Sequence, residues 1–162
     1  MRLVAASAVS IVFLTGGCLE IDGAAAEVAW VLRDSRQRAA KCDGEALRTL
    51  GQTISKIRLR IQPVDSTGGL GEDLCEAGAV KGCEFSCRSL GGTTPFSIPV
   101  GEGADSADYF FSLAPLTADG TAIGPDVVAV PPPIRRTVRK GDLTDLGLWM
   151  LVIPAREDLI EQ

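Results

Sequence analysis

The sequence contains no histidine, so an enzyme built on this chain would have to work with carboxylates, Lys or Tyr109. That excludes every Ser-His-Asp or Cys-His arrangement and every His-containing metal site. It also removes the commonest general acid or base near neutral pH. Three carboxylate pairs lie close in sequence: Glu72 with Asp73, Asp105 with Asp108, and Asp142 with Asp145. Glycosidase-type chemistry needs two carboxyls facing a cleft at a defined separation. These pairs instead sit in segments that read as solvated loops. The Asp-x-Asp-x-Asp spacing of a calcium loop is absent, although Asp105 and Asp108 could join a looser site. The expectation is therefore a protein that is not an enzyme, with no catalytic, cofactor-binding or metal-ligating residues and no cofactor.

The five cysteines divide into one and four. Before Cys18 stand Arg2, an apolar run from Leu3 to Leu14, and Thr15-Gly16-Gly17. A short positive start, an apolar stretch of roughly 7–15 residues and small residues make a secretory signal peptide. The run is shorter than the ~20 residues a bilayer span needs. Small residues leading straight into a cysteine resemble a bacterial lipobox. The resemblance implies that the Cys18 thiol receives diacylglycerol and becomes the mature N-terminus. Thr15 departs from the usual Leu three places before the cysteine. A second cleavage reading is ordinary processing after Ala26, at Ala24-Ala25-Ala26. That site lies far past the apolar run and follows Glu20 and Asp22. Lipidating Cys18 also leaves an even number of cysteines, as an exported protein favours. Leu19 is not the Asp that marks inner-membrane retention, so the resemblance points to an outer-membrane lipoprotein.

Four cysteines in an oxidising compartment form disulfides more readily than a zinc site. Cys83 and Cys87 have a tolerable ligand spacing, but Cys42 and Cys75 supply no matching pair. An extended run from Cys83 to Cys87 would separate the two Cα atoms by ~13 Å, against roughly 4.4–6.8 Å in a disulfide. The preferred connectivity is Cys42–Cys87 with Cys75–Cys83. On the chain-entropy model the two bridges contribute ~4 and ~2.5 kcal/mol.

Arg2 is the only charge in residues 1–17, so 15 of the 16 Lys and Arg remain against 21 Asp and Glu, a net of −6. An acidic chain is poorly suited to nucleic acid, whose phosphates need Lys and Arg, or to anionic lipid head groups. The one basic cluster is Arg135-Arg136 with Arg139-Lys140. It reads as a solvated strand edge that blocks aggregation, or as a contact for acidic glycans or a partner protein. Pro131 to Pro133 read as a bend in a strand connection rather than a ligand for an aromatic groove.

The elements that would position these groups are short strands. Glu27 to Arg33 places Val28, Trp30 and Leu32 on one face. From Ile54 to Val64, Ile57, Leu59 and Ile61 alternate with Arg58, Arg60 and Gln62. Such alternation is a half-buried strand. Asp34 to Leu50 reads as a loop or a turn of helix, and Thr93 to Val100 as an irregular edge strand. Tyr109 to Leu116 is a strand ending at the tight turn Asp119-Gly120. Asp126 to Val130 starts another. Leu146 to Ile153 is a continuous apolar run that suggests a strand buried on both faces. The expected fold is all-β, a single antiparallel β-sandwich of about seven short strands. Residues 1–17 are the signal peptide, 18–26 a lipidated tether, 27–154 the sandwich and 155–162 a tail.

The chain looks like small lipoproteins of myxobacterial type that carry an immunoglobulin-like or transthyretin-like β-sandwich. The residues behind the likeness are Gly16-Gly17-Cys18, Trp30, Cys42, Phe85-Ser86-Cys87, Thr93-Thr94-Pro95-Phe96 and Tyr109 to Leu116 with Ala118-Asp119-Gly120. The resemblance implies a fold and a place in the cell envelope, and no site residues. The functional expectation is a non-enzymatic lipoprotein held to the membrane by lipid on Cys18, binding an envelope protein or acting structurally. A carbohydrate-binding or adhesive module is the alternative, weakened because the eight aromatics mostly belong to strands that need them for a core.

Overall fold

The computed structural model describes residues 21–154. The signal peptide, Cys18 and the 155–162 tail lie outside the described residues. The described part is all-β, two four-stranded sheets facing each other, and mostly antiparallel. The first sheet is organised on β1 (Gly23–Asp34), which pairs on one side with β4 (Gly91–Thr93) and β5 (Ile98–Pro99) and on the other with β8 (Leu143–Ile153). The second has the order β3 (Glu84–Ser86), β2 (Lys56–Pro63), β6 (Ser106–Leu116), β7 (Ile134–Arg139). A single helical turn, α1 (Glu45–Arg48), interrupts the loop after β1 and buries Leu47.

The core follows from strand alternation. Val28, Trp30 and Leu32 of β1 face Ile57, Leu59 and Ile61 of β2 and Phe111 of β6, all buried. Trp30 sits in the middle of this layer with no exposed surface. Its indole N–H donates to the Cys87 carbonyl at 3.1 Å, and its ring lies 6.1 Å from that of Phe85. A buried indole needs such a partner. The bridge Cys42–Cys87 therefore closes beside the central tryptophan.

Three features differ from what the sequence suggested. The tether does not extend to residue 26. Gly23 to Ala26 already form β1, and Ala24, Ala25 and Ala26 have no exposed surface. Their small size is what the packing requires. The Ala26 N–H donates to the Thr94 hydroxyl and its carbonyl accepts from the Thr94 N–H, while Ala25 N–H donates to Asp142 O. A Cβ on Gly23 would come within 2.6 Å of the Phe96 carbonyl oxygen, so only glycine fits there. Second, the longest pairing in the first sheet, β1 with β8, is parallel. The first and last strands thus lie side by side, and the chain must traverse the whole domain between them. Third, Asp126 to Val130 does not become a strand. It contributes one bridge, Ala129 with Val152, before Pro131 to Pro133 carry the chain back to β7.

Shortening the chain to begin at Glu27 would delete four hydrogen bonds made by Gly23, Ala25 and Ala26 to Gly141, Asp142 and Thr94, besides their pairing with β5 and β8. At about 1 kcal/mol net for each bond, unfolding in urea should show a loss of at least ~4 kcal/mol relative to a chain beginning at Leu19. Equal stability of the two chains would mean that these residues are an ornament of the sheet.

Candidate functional site

Of the carboxylates that sequence reasoning singled out for chemistry, Asp73, Asp108 and Asp145 have structural tasks. Asp108 accepts from the Thr137 hydroxyl at 2.6 Å and from Arg135 at 2.5 Å across the β6–β7 pairing. The Thr137 hydroxyl and then the Arg135 guanidinium hold its carboxyl below the ordinary range. Asp105 belongs to the loop before β6, where its carbonyl accepts the Lys140 N–H. Asp145 caps the Gly147 N–H at 2.7 Å. Asp73 accepts from the N–H groups of Ile61 and Cys75 and faces Arg60 at 3.5 Å. Asp65 and Asp119 tie their own loops: Asp65 accepts from Thr67 and Gly69, and Asp119 from Thr121 and the Thr117 hydroxyl. No two of the sequence-adjacent carboxylates are brought to face each other by these contacts.

The cysteines pair as Cys42–Cys87 and Cys75–Cys83, with Cα separations of 6.1 and 6.0 Å. The Cys42–Cys87 bridge ties the α1 loop to the 3-10 turn Cys87–Ser89, and the other closes the loop before β3. Two disulfides fit an oxidising, exported compartment. Among the described residues no helix is long and apolar enough to cross a membrane.

The basic residues of β2 and β7 are also engaged. Lys56 and Arg58 reach Glu84 on β3 at 2.9 and 2.7 Å. Arg135 and Lys140 pair with Asp108 and Asp22. Because β7 is the outer strand of its sheet, its exposed Arg135, Arg136 and Arg139 make that edge hard to extend.

β8 is the outer strand of the facing sheet, beside β7, and its edge has a different character. The reading of β8 as buried on both faces is corrected by the structure. Leu146, Trp149, Leu151 and Ile153 are buried, but Leu148 is 67% exposed, and Leu143 and Met150 are exposed too. The cause is a bulge. Between Glu27 and Ala29 of β1 the partner on β8 advances from Asp145 to Leu148, one residue more than the pairing needs. Gly147 takes up the excess at φ +75°, a conformation suited to glycine. The extra residue turns both Leu146 and Trp149 inward and sets Leu148 and Met150 outward, next to Ala29 and Val31. A glycine within an apolar strand was the available signal.

The outer backbone edge of β8 is open as well. Val152 spends both its N–H and its carbonyl on Ala129. Alternation points the corresponding groups of Met150 the same way. Apart from that one bridge, no strand pairs with this edge among the described residues. Beside Leu148 lies a shallow concavity of about 500 Å³ lined by Glu27, Ala29, Gly91, Thr93, Asp145 and Gly147. A larger one, about 620 Å³, opens at the other end of β1, lined by Asp34 and Arg38, which pair at 2.7 Å, and by Lys41 and Glu45, and it has no large apolar side chain. The apolar, unpaired edge of β8 is therefore the best candidate for a binding surface. Comparison of the chain with protein-family models, curated proteins and solved structures finds no match.

Substitution separates the two faces of β8. Leu148→Lys and Met150→Lys should each change stability by less than ~0.5 kcal/mol, whereas Trp149→Ala should cost ~3–5 kcal/mol, read by denaturant unfolding. Large losses from both lysine variants would show that Leu148 and Met150 are core residues.

Acid titration tests the ion pairs. Lys56 first, then Arg58, hold Glu84 below the usual carboxylate value. With the folded value depressed, the stabilisation is complete above the unfolded pKa of about 4.3 and is lost as the pH falls through the folded value. Glu84→Gln should cost at most ~1 kcal/mol at neutral pH, since the pair is partly solvated. The difference between the two proteins should shrink steadily below about pH 4.3.

Proposed function

We propose that this chain is a non-enzymatic lipoprotein of the bacterial envelope, anchored through diacylated Cys18, whose sandwich binds an extended segment of an envelope protein along β8. The observation that carries the binding reading is the edge at Leu148 to Met150, where outer backbone groups without a partner among the described residues and exposed apolar side chains coincide on one strand. A peptide added there as a further strand gains main-chain hydrogen bonds, with alternate side chains supplying specificity. The arginines of neighbouring β7 favour a segment that carries acidic residues.

The anchoring reading draws support from β1. Cleavage after Ala26 would remove four strand residues, three of them fully buried, which favours a mature chain that begins earlier. A mature chain that starts at Cys18 keeps β1 whole. With Cys42, Cys75, Cys83 and Cys87 joined in pairs, Cys18 is also the one cysteine left for lipid. Placement in the outer membrane rests on Leu19 alone and belongs to this proposal.

In a Gram-negative host the intact mass should correspond to a chain starting at diacylated Cys18, and Cys18→Ser should release the protein from membranes. A product starting at Glu27 contradicts the anchor. A photo-crosslinking residue placed at Leu148 should yield an adduct with an envelope protein that Met150→Lys abolishes. The same probe at exposed Arg38 should yield none. Adducts of equal yield from both positions would remove β8 as the binding surface.

A further inference from the structure

The seven large apolar side chains exposed among the described residues fall into two groups. Leu90, Leu148 and Met150 lie at the level of Ala29 to Val31, halfway along the first sheet. Ile21, Leu70, Phe96 and Leu143 all lie at one end of the sandwich, the end at which β1 begins. Ile21 stands two residues before β1. The Phe96 carbonyl touches Gly23 on the β5 side. Leu143 pairs with Ala25 on the β8 side. Leu70 lies in the loop after β2, which ends opposite Tyr109, and the Tyr109 hydroxyl donates at 2.6 Å to the carbonyl of Pro99, itself the partner of Gly23. Both sheets therefore contribute apolar tips to the same end.

That end is also the one nearest Cys18. Two residues, Leu19 and Glu20, separate Cys18 from Ile21, and the three Cα–Cα steps span at most about 11 Å in a trans chain. The polar zone of a bilayer is itself ~5–8 Å thick on each side. A domain tethered by lipid on so short a leash must keep this end at the membrane surface. We infer that the end of the sandwich formed by Ile21, Leu70, Phe96 and Leu143 docks on the bilayer that holds the Cys18 lipid, inserting these side chains among the head groups. The inference rests on the anchoring reading above and adds an orientation to it.

Charge decides the kind of surface. Around the apolar tips stand Glu102, Asp105, Asp142 and Asp22, the last paired with Lys140 at 3.0 Å, and the loop residue Asp65. Arg139 and Lys140 are the cations of this end. An acidic rim is repelled by anionic lipid, so the partner is a zwitterionic surface, met through apolar contact. In this orientation β1 and β8 stand away from the membrane, and the α1 loop and the Thr117–Thr121 turn lie at the far end, about 36 Å along β1. The open edge of β8 then faces sideways, clear of the lipid.

The test uses the full lipidated protein in vesicles of phosphatidylcholine and phosphatidylethanolamine, with the Cys18→Ser chain in solution as reference. Intact mass and vesicle flotation check the anchor. Amide hydrogen exchange checks the docking. Amides of residues 69–72, 94–97 and 141–144 should exchange several-fold more slowly on vesicles than in the reference, with those of residues 37–41 and 119–121 unchanged. The lipidated variant Phe96→Ser with Leu143→Ser alters two exposed side chains, so it should still fold and float while losing the slowing. Flotation without slower exchange at the tip overturns the docking and leaves the anchor standing. Slower exchange at Leu148 to Met150 instead means that the sheet face, not the tip, lies on lipid, and also overturns it. A chain without the diacylglyceryl mass that fails to float removes the anchor and the docking together.

Discussion

The fold depends on the pairing of β1, since β4, β5 and β8 all bond to this strand and make no other pairing in their sheet. One strand thus serves two edges at once, and its residues are divided to match. Small side chains, Gly23 to Ala26, occupy the part where the backbones of Thr94, Phe96 and Asp142 close in. Large ones, Val28, Trp30 and Leu32, occupy the part where the facing sheet leaves room for a core. Trp30 joins the two regimes to the covalent frame, because the carbonyl that accepts its indole N–H belongs to Cys87 of the long-range disulfide. Loss of β1 would leave β4, β5 and β8 without partners in the sheet. A mutual dependence of this kind favours all-or-none unfolding.

What could be read beforehand was what alternates. The apolar faces of β1 and β2 were legible because Val28, Trp30, Leu32 and Ile57, Leu59, Ile61 recur every second residue. The cysteine pairing was legible in part: an extended Cys83 to Cys87 run is too long for a bridge, which leaves two connectivities, and the preferred one, with the short Cys75–Cys83 loop, is the one in the structure. Ala24 to Ala26 were misread as tether since alanine gives no hydrophobic period, although it suits a crowded strand. β8 was misread since the bulge at Gly147 breaks the period of two and makes a half-exposed strand look apolar throughout. The parallel partnership of β1 and β8 leaves no local trace, because it joins segments more than a hundred residues apart. The candidate surface on β8 was hidden for the same two reasons.

Of the carboxylates that invite catalytic readings, Asp108 and Asp145 lie in β6 and β8 and not in loops, and Asp73, Asp108 and Asp145 accept hydrogen bonds that hold the fold. Asp65 and Asp119 accept N–H groups within their own turns, and Asp145 accepts the Gly147 N–H at the bulge of β8, as short acidic side chains do when they stand in for backbone. The two sandwich edges that lie side by side divide along different lines. β7 carries arginines that resist extension, whereas β8 carries Leu148 and Met150 and an outer backbone edge that, among the described residues, is paired only at Val152. An edge left open beside a guarded one restricts where a further strand can add.

Parallel pairing of β1 with β8 also has a mechanical meaning. The chain enters β1 at Gly23 and leaves β8 at Ile153, at opposite ends of the paired strands. A pull between an anchor at the entry and a load at the exit is directed along the strands. It loads the bonds from Ala25 to Asp34 in shear, all together, instead of opening them one after another from an end. Forced unfolding is governed by the unfolding rate and not by equilibrium stability. A domain tethered at one end and grasped at the other would therefore resist tension better than its modest size suggests.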